Sequence, residues 1–290
     1  MTPFSCDSPV FAEFGAPLAD ALERNVDSAL AEDVGSGDLT GLLVPADESG
    51  KARIIVREAA VLCGAPWLEA VMRRLDTSIR VEWRYREGAQ MAANTAVCEL
   101  SGPARALLTG ERCALNFLQM LSGVATATRA YVDAVAGTKA RILDTRKTLP
   151  GLRLAQKYAV RVGGGVNQRL ALYDGILIKE NHIAAAGGIG PVLDAARALN
   201  AGVSVQIEVE TLEQLDEVLR AGATSILLDN FSYDMMREAV RMTAARAVLE
   251  VSGGVNMQTV RTIAETGVDR ISIGSLTKDV KAVDYSMRMI

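Results

Sequence analysis

Residues 205–230 read VQIEVE-TLEQLDEVLR-AGATSILLDN and describe one strand–helix–strand unit. Val205–Val209 and Ser225–Leu228 are short, β-prone apolar runs. Between them, Thr211–Ala221 carries apolar residues at helical spacing, and Gly222 stands where a helix commonly ends. A helix that joins two apolar strands predicts a parallel pair of strands with the helix packed outside it.

The same alternation of strand and helix continues on both sides of this unit. Amphipathic stretches such as Asp234–Ala245 and Met257–Thr266 separate the strands, and Gly267 follows the second of them. This repetition predicts closure into a (β/α) barrel, with a doubly wound open sheet as the alternative. The dinucleotide-binding form of the open sheet is disfavoured because no G-x-G-x-x-G follows the first strand. The apolar runs are Arg141–Leu143, Gly175–Ile178, Val205–Val209, Ser225–Leu228, Val248–Val251 and Arg270–Ile273.

Residues 1–120 lack this rhythm and predict a small α+β domain. A helical start at Ala19–Leu30 precedes the strand-like runs Arg53–Val56 and Ile79–Trp83, and Leu107–Leu121 again has helical spacing. The predicted domains are therefore an N-terminal domain over 1–120, a barrel domain over 121–276, and a C-terminal helix at about 277–290 that packs back on the first domain.

Composition narrows the classes of function. Hydrophobic residues make up 49% and charged residues 23%, which is typical of a packed globular protein. Aromatic residues are only 4% and the net charge is -4, so neither a nucleic acid nor an anionic membrane is an expected partner. The start, MTPFSCDSPVFAEF, does not resemble a signal peptide, and no apolar run is long enough to span a membrane, so we expect a cytoplasmic protein. The cysteines form no C-x-x-C pair and are expected to be reduced, packed thiols: Cys6, Cys63, Cys98 and Cys113.

Polar residues or glycines follow almost every predicted strand. In a barrel of parallel strands, the carboxyl ends meet at one face, and catalytic groups gather there. One polar strand end is weak evidence because loops are usually polar, but matching ends on successive strands predict an active site. These ends carry Asp144–Lys147, Lys179–His182, Glu208 with Glu210, Asp229–Asn230, Ser252–Gly254 and Gly274–Ser275.

Positive charge is concentrated in one segment of this acidic chain. Eight cations and two acids lie between Arg141 and Lys179. Three of the cations directly follow predicted strands, which favours binding of a carboxylate or phosphate. Three others have i, i+4 spacing and are expected to share a solvated helix face. The first group is Arg146, Lys147 and Lys179, and the second is Arg153, Lys157 and Arg161.

The remaining strand ends predict a phosphate site and a magnesium site. Ser252–Gly254 and Gly274–Ser275 suit phosphate binding by the backbone, although two tight turns would give the same pattern. Glu208 and Asp229 are placed to hold Mg²⁺ that bridges substrate phosphates, with surface or ion-paired acids as the alternative. His182 is the only histidine; no nucleophile can be assembled around it, and it suits a structural role. We therefore expect a barrel enzyme that acts on an anionic, phosphorylated substrate.

Several motifs resemble the quinolinate phosphoribosyltransferase family. The most specific are Ile142-Leu-Asp-Thr-Arg-Lys-Thr-Leu-Pro-Gly-Leu-Arg153 and Leu177-Ile-Lys-Glu-Asn-His-Ile183, and similar stretches extend over nearly the whole chain. The resemblance implies an α/β fold with an N-terminal α/β sandwich-like domain and a C-terminal incomplete (β/α) barrel, in a homodimer, with hexamers left open. It implies transfer of phosphoribosyl from phosphoribosyl pyrophosphate (PRPP) to quinolinate, with decarboxylation, in NAD biosynthesis, and Mg²⁺ as cofactor.

The resemblance also implies roles for individual residues. One position departs from the family, which reads G-G-G-x-N-H-R where residues 163–169 read GGGVNQR. Gln168 therefore replaces a histidine; its amide can donate to a carboxylate but cannot become cationic. Ala171 also stands where glycine is usual. The implied quinolinate residues are Arg112 (reaching the neighbouring subunit's site), Arg146, Lys147, Gln168, Arg169 and Lys179; Glu208 and Asp229 would hold ribose hydroxyls and magnesium, and Ser252, Gly253 and Gly274 the 5′-phosphate. The implied catalytic set is Lys147, Lys179, Glu208 and Asp229.

Three alternatives remain open at this point. A class I aldolase could form a Schiff base on Lys179 at its strand end. A related phosphoribosyltransferase-like paralogue associated with molybdenum transport genes is the second alternative. A non-catalytic binding protein is a third class, which the joint presence of Arg112, Lys147, Lys179, Glu208 and Asp229 disfavours.

Overall fold

The computed structural model describes residues 8–290, so Cys6 and the first part of the N-terminal segment lie outside the described residues. The helices are α1 (Pro9–Phe14), α2 (Ala16–Asp33), α3 (Ala65–Leu75), α4 (Ala104–Ala134), α5 (Arg153–Val162), α6 (Glu180–Ala186), α7 (Ile189–Ala198), α8 (Leu212–Arg220), α9 (Tyr233–Thr243), α10 (Val260–Glu265) and α11 (Ser275–Lys278), with a 3-10 turn at Gly41–Leu43. The strands are β1 (Ser49–Val56), β2 (Ala60–Val61), β3 (Arg80–Trp83), β4 (Gln90–Met91), β5 (Thr95–Pro103), β6 (Arg141–Leu143), β7 (Gly175–Ile178), β8 (Ser204–Val209), β9 (Ser225–Asp229), β10 (Val248–Ser252), β11 (Arg270–Ser272) and β12 (Tyr285–Met289).

The chain divides into two compact units. The first holds the chain up to Arg129 together with Thr148–Gly164 and Leu276–Ile290; the second holds Ala130–Lys147 and Gly165–Ser275. The predicted boundary after residue 120 falls inside α4, which runs unbroken to Ala134. The helix continues because buried residues at helical spacing extend past Leu121 to Val124, Ala125 and Thr128.

The first unit contains a four-stranded antiparallel sheet in the order β12-β1-β5-β3. The prediction of a C-terminal helix is wrong, because Tyr285–Met289 is a strand that pairs with β1. Its first four side chains alternate: Tyr285 and Met287 are buried, Ser286 between them is partly accessible, and Arg288 after them is exposed. That period of two is the pattern of a strand with one face on the core, and it overrides helix formation.

The first unit's core is built around aromatic rings. Phe11, Trp67 and Tyr158 pack together, with ring centroids of Trp67 and Tyr158 5.5 Å apart. Tyr158 lies on α5, which contacts α1 and α2. The predicted solvated face of α5 is wrong at Lys157, which is fully buried, because tertiary packing covers that side of the helix. Cys63, Cys98 and Cys113 are buried thiols of this unit, as predicted for packed cysteines.

The second unit contains a six-stranded parallel sheet in the order β6-β11-β10-β9-β8-β7. From β7 to β11 consecutive strands are neighbours, and β6, the first strand of the unit, pairs with β11, the last, so the chain winds in one direction around a barrel. Within the described residues no ladder joins β6 to β7, and the barrel is therefore incomplete. Val166 forms an isolated parallel β-bridge with Leu143 of β6, the outer strand of the sheet. A doubly wound sheet, in which the order reverses direction, is excluded.

Helix ends in the second unit follow the expected signals. The Thr211 side chain accepts a hydrogen bond from the Gln214 backbone N–H at the start of α8, and Ser232 does the same for Met235 in α9. Gly222 has φ of +77° just after α8, a left-handed conformation that glycine adopts at low cost. Throughout residues 8–290, no helix combines the length and apolarity that a membrane span requires.

Candidate active site at the carboxyl ends of the parallel strands

The parallel sheet brings the carboxyl ends of its strands to one edge of the second unit. Glu208 is in β8, Asp229 ends β9 and Ser252 ends β10, where it stands directly beside Asp229 in register. Arg112 belongs to the first unit, where it is exposed on α4. The other predicted residues, all in the second unit, are Arg146, Lys147, Gln168, Arg169, Lys179, Glu208, Asp229, Ser252, Gly253 and Gly274.

Lys179 forms an ion pair at this edge. Its Nζ donates to Glu208 Oε2 at 2.8 Å, and the Glu208 side chain is only 10% exposed. Lys179 directly precedes α6, so the predicted Lys179–His182 turn is the start of a helix. His182 Nδ1 accepts a hydrogen bond from the Lys179 backbone N–H at 3.0 Å, which supports a structural role for the only histidine. The cap fixes the backbone from which Lys179 extends.

Asp229 lies where the loop after β10 approaches the end of β9. Burial raises the pKa of Asp229, and the charges of Lys179 and Lys147 oppose that rise. A Cβ at Gly253 would lie 2.6 Å from Asn230 Oδ1, and Gly253 has φ of +96°. Glycine satisfies both constraints, and the same Cβ would lie 3.4 Å from Asp229 Oδ1, so the backbone of this loop passes close to the Asp229 carboxylate.

Lys147 crosses from the end of β6 to the end of β11. A Cβ at Gly274 would lie 3.0 Å from Lys147 Cδ and 3.8 Å from its Nζ. The turn that launches this side chain is closed by a hydrogen bond from the Lys147 backbone N–H to Thr145 Oγ1 at 3.0 Å. Gly274 therefore provides the space in which the Lys147 side chain lies, with its ammonium at the mouth of the incomplete barrel.

Next to Lys147 in sequence, Arg146 carries a positive charge that acts on the guanidinium group of Arg169. Burial lowers the pKa of Arg169, and the positive charge of Arg146 adds to the effect while Asp174 opposes it. Arg146 Nε is buried and has no hydrogen-bond partner within residues 8–290. Two cations held together, one with an unused buried donor, favour a site for an anion with planar carboxylate groups.

The segment that carries Arg169 is held by a buried aspartate. Asp144, fully buried after β6, accepts from Asn167 Nδ2 at 2.6 Å and from the Gln168 backbone N–H at 2.9 Å. Arg169 itself donates to the Gly175 carbonyl at 2.9 Å. Ala171, which replaces a usual glycine, is not among the residues with positive φ, so the loop accepts it without backbone strain.

The acids at this edge fit a magnesium ion only in part. Glu208 and Asp229 are oxygen ligands on adjacent strands, which suits Mg²⁺. Within residues 8–290, no cluster of three or more potential ligands that could hold a metal ion is present. These two carboxylates alone would leave most of the coordination sphere of such an ion to water or to other ligands.

Sequence reasoning missed two site-lining residues, Gln206 and Glu250. Both are buried, and both contact the Gln168 side chain or each other. The signal was available, because each is a polar residue two positions before a predicted site residue in an otherwise apolar strand. Residues two apart in a strand share a face, so Gln206 accompanies Glu208, and Glu250 accompanies Ser252.

The fold and this edge define a class of protein, a (β/α) barrel whose strand ends carry the cationic and polar groups that suit an anionic substrate. Comparison with known proteins then gives the family. The model described as "Quinolinate phosphoribosyl transferase, C-terminal domain" matches residues 124–288, and that of the N-terminal domain matches residues 38–122. The chain belongs to the quinolinate phosphoribosyltransferase family.

Individual relatives agree with this assignment. The chain is 41% identical to a probable nicotinate-nucleotide pyrophosphorylase [carboxylating] of Bacillus subtilis, over 92% of each chain. It is 42% identical to the nicotinate-nucleotide pyrophosphorylase [carboxylating] of Mycobacterium leprae, over 92% of this chain and 97% of the relative. The structure of the nicotinate-nucleotide pyrophosphorylase from Francisella tularensis matches with a TM-score of 0.91 and 42% identity, covering 100% of both chains.

Proposed function

We propose that the protein transfers the phosphoribosyl group of PRPP to quinolinate, forming nicotinate mononucleotide, pyrophosphate and CO₂ in NAD biosynthesis. The observation that carries the proposal is the pair Arg146 and Arg169, with its unused buried donor on Arg146, inside a barrel of this family. Quinolinate is a planar dicarboxylate, and each guanidinium can clamp one carboxylate through two parallel hydrogen bonds.

PRPP would occupy the neighbouring strand ends. Its 5′-phosphate would bind the backbone of Ser252 and Gly253 and the turn at Gly274, where glycine permits close approach. Glu208 and Asp229 would bind the ribose hydroxyls. Lys147 lies against Gly274, and Lys179 is paired with Glu208. Both lysine side chains therefore lie beside residues that we assign to PRPP.

Mg²⁺ is the cofactor we propose for this site. Glu208 and Asp229 would hold it together with oxygens of PRPP, which agrees with the small number of protein ligands. When bound, the ion neutralises charge on the departing pyrophosphate. Lys147 and Lys179 do the same from the protein side.

The reaction needs no protein nucleophile. The bond from ribose C1 to the pyrophosphate oxygen breaks, its electron pair leaves with pyrophosphate, and C1 becomes oxocarbenium-like. The ring nitrogen of quinolinate then bonds to C1. Arg146 and Arg169 fix the ring by its carboxylates, so that the nitrogen faces C1 and positioning supplies much of the rate. The C2 carboxylate then leaves as CO₂, and the cationic ring nitrogen stabilises the electron pair that remains on C2. This electron pair takes up a proton from solvent, so that C2 carries a hydrogen in the product.

We further propose a cytoplasmic homodimer with shared active sites. Arg112, exposed on α4 of the first unit, would complete the quinolinate site of the neighbouring subunit. Mixing two inactive variants, Arg112→Ala and Arg146→Ala, tests this. In half of randomly mixed dimers one site regains both arginines, so activity should return to about a quarter of wild type. No recovery after confirmed subunit exchange would contradict the shared site.

The experiment for the reaction uses quinolinate labelled in its C2 carboxylate, with PRPP and Mg²⁺, and with nicotinate as the competing acceptor. We expect PRPP-dependent release of labelled CO₂ and equal nicotinate mononucleotide, with no product from nicotinate. Folded protein that yields no product from either acceptor would contradict the proposal and favour the paralogue or a binding role. Borohydride trapping of a keto substrate on Lys179 would favour the aldolase, which the ion pair with Glu208 disfavours.

A further inference from the structure

Two buried polar side chains lie beneath the residues assigned to substrate. Gln206 and Glu250 are 6% and 0% exposed, in strands β8 and β10 of the incomplete barrel. Each lies two residues before a strand-end residue on the same face, so both side chains point into the barrel below Glu208 and Ser252. Neither has a role in the transfer reaction as described above.

Both side chains are hydrogen-bonded to the Gln168 side chain, which lies nearer the carboxyl ends of the strands. Gln206 Nε2 donates to Glu250 Oε2 at 3.0 Å. Gln168 Nε2 donates to Gln206 Oε1 at 2.7 Å and, more weakly, to Glu250 Oε1 at 3.5 Å. A primary amide has two N–H groups, so both donors of Gln168 already have an acceptor within the protein.

The carbonyl oxygen of the Gln168 side chain binds the backbone of Arg169. Gln168 Oε1 accepts a hydrogen bond from the Arg169 backbone N–H at 2.6 Å. The partners of the Gln168 amide set its orientation. Glu250 and Gln206 Oε1 can only accept, so the NH₂ group of Gln168 points toward them and its carbonyl oxygen points toward the Arg169 backbone N–H. The chain of contacts therefore runs from Glu250 through Gln206 and Gln168 to the backbone of Arg169.

We infer that Gln206 and Glu250 are positioning residues for quinolinate, acting through Gln168 on Arg169; the inference rests on the proposed function. Gln168 orients Arg169 from below and does not itself donate to the substrate carboxylate. Burying the Glu250 carboxylate and the Gln206 amide costs free energy that an apolar interior would avoid, and their hydrogen bonds to each other and to Gln168 offset that cost while fixing the geometry of the three side chains. The neutral residue in place of the family's histidine then belongs to a matched set of side chains.

The test compares Glu250→Gln with a matched control, Glu69→Gln. Glu69 is also buried and accepts from Trp83 Nε1 at 2.7 Å, but it lies in the first unit. Glu250→Gln replaces an acceptor by an amide that competes for the same partners, so we expect KM for quinolinate to rise about tenfold and KM for PRPP to change less than twofold. Glu69→Gln should change neither KM.

A double-mutant cycle supplies the second measurement. If Glu250 acts through Gln168, the double variant Gln168→Ala with Glu250→Gln should raise KM for quinolinate no more than the larger single change. Should Glu250→Gln not fold, Gln206→Met, which removes the middle link with similar volume, takes its place in the cycle. Additive effects, or equal changes in both KM values, would overturn the inference. Absence of turnover by the wild-type enzyme would instead reject the proposed function.

Discussion

The six parallel strands all begin at one side of the sheet, its amino edge, and all end at the other, its carboxyl edge. The two sides use the same kinds of residues in opposite ways. At the amino edge, Lys139 pairs with Asp269 at 2.7 Å, and Asp269 also accepts from the Leu249 backbone N–H at 2.8 Å. At the carboxyl edge, Lys179 pairs with Glu208 at 2.8 Å, but Arg146 Nε nearby is buried without a hydrogen-bond partner in residues 8–290. The first edge joins strands to one another, whereas the second has donor capacity left for a ligand.

Glycines show the same difference. Gly267 at the amino edge and Gly253 at the carboxyl edge have φ of +92° and +96°. A Cβ at Gly267 would touch only Val240 side-chain carbons, the nearer at 3.4 Å, whereas at Gly253 it would meet Asn230 Oδ1 at 2.6 Å. One glycine ends a helix, and the other lets a loop approach polar groups. Equivalent substitutions at the two edges should therefore separate stability from activity.

The largest difference is expected for arginine. Arg146→Ala should lower kcat/KM by about 10³-fold, because under the proposed function it leaves a substrate carboxylate without its charged partner. Arg141→Ala, at the amino end of the strand that precedes Arg146, is the matched control and should stay within about twofold of wild type. Steady-state kinetics and thermal unfolding of both variants measure this. Near-normal activity of folded Arg146→Ala would reject the assignment of Arg146.

The two ion pairs give the next largest contrast. Glu208→Gln should reduce kcat/KM by about 10²-fold with little change in Tm, since the role proposed for it is toward PRPP and magnesium. Asp269→Asn should keep full activity and lower the free energy of unfolding by about 1 kcal/mol, because it weakens a partly exposed pair and one backbone contact. Denaturant unfolding and kinetics measure both. If both variants lose only stability, the carboxyl edge has no catalytic role.

Glycine substitution should have a smaller effect. Gly253→Ala is expected to raise KM for PRPP about tenfold, because the loop must move away from Asn230 to admit a methyl group. Gly267→Ala forces the same strained backbone region and should lower the free energy of unfolding by about 1 kcal/mol, with KM unchanged. An increase in KM for PRPP in Gly267→Ala equal to that in Gly253→Ala would show that strain, and not phosphate contact, governs the effect.

The smallest predicted effect concerns pH. Burial raises the pKa of Asp229, and Glu210 is one of the acids that raise it further. In the proposed function Asp229 binds its ligands in the ionised form, so kcat/KM should fall on the acid side above the ordinary aspartate pKa of about 3.9. Glu210→Gln removes a like charge, lowers the pKa of Asp229 and should move the acid limb by a few tenths of a pH unit to lower pH. Glu217→Gln, exposed on α8, should not move it.

The contrast also separates what the sequence predicts from what it does not. Short apolar runs such as Ser225–Leu228 predicted the strands, and Thr211 and Gly222 stand at the ends of a helix as expected. The strand at Tyr285–Met289 was missed because four or five alternating residues carry little signal without their partner β1. Lys157 was misread because charge spacing predicts a helix face but not what tertiary packing places over it.

The positions of the candidate residues at strand ends could be predicted from the sequence, whereas the candidate residues inside strands were not recognised. Arg146, Lys179 and Asp229 directly follow or end apolar runs, and parallel strands necessarily bring such ends to one edge. Gln206 and Glu250 were missed because their importance depends on side-chain contacts with Gln168, which is distant in sequence. Only the folded sheet shows that these residues belong to one network.

A crystal structure with quinolinate, a non-reactive PRPP analogue and Mg²⁺ tests the central claim most directly. We predict quinolinate carboxylates on Arg146 and Arg169, the 5′-phosphate at Ser252 and Gly253, and the ion beside Asp229. Gln168 should keep its bonds to Gln206 and to the Arg169 backbone. Ligands bound elsewhere than at the carboxyl ends of the strands would contradict the account.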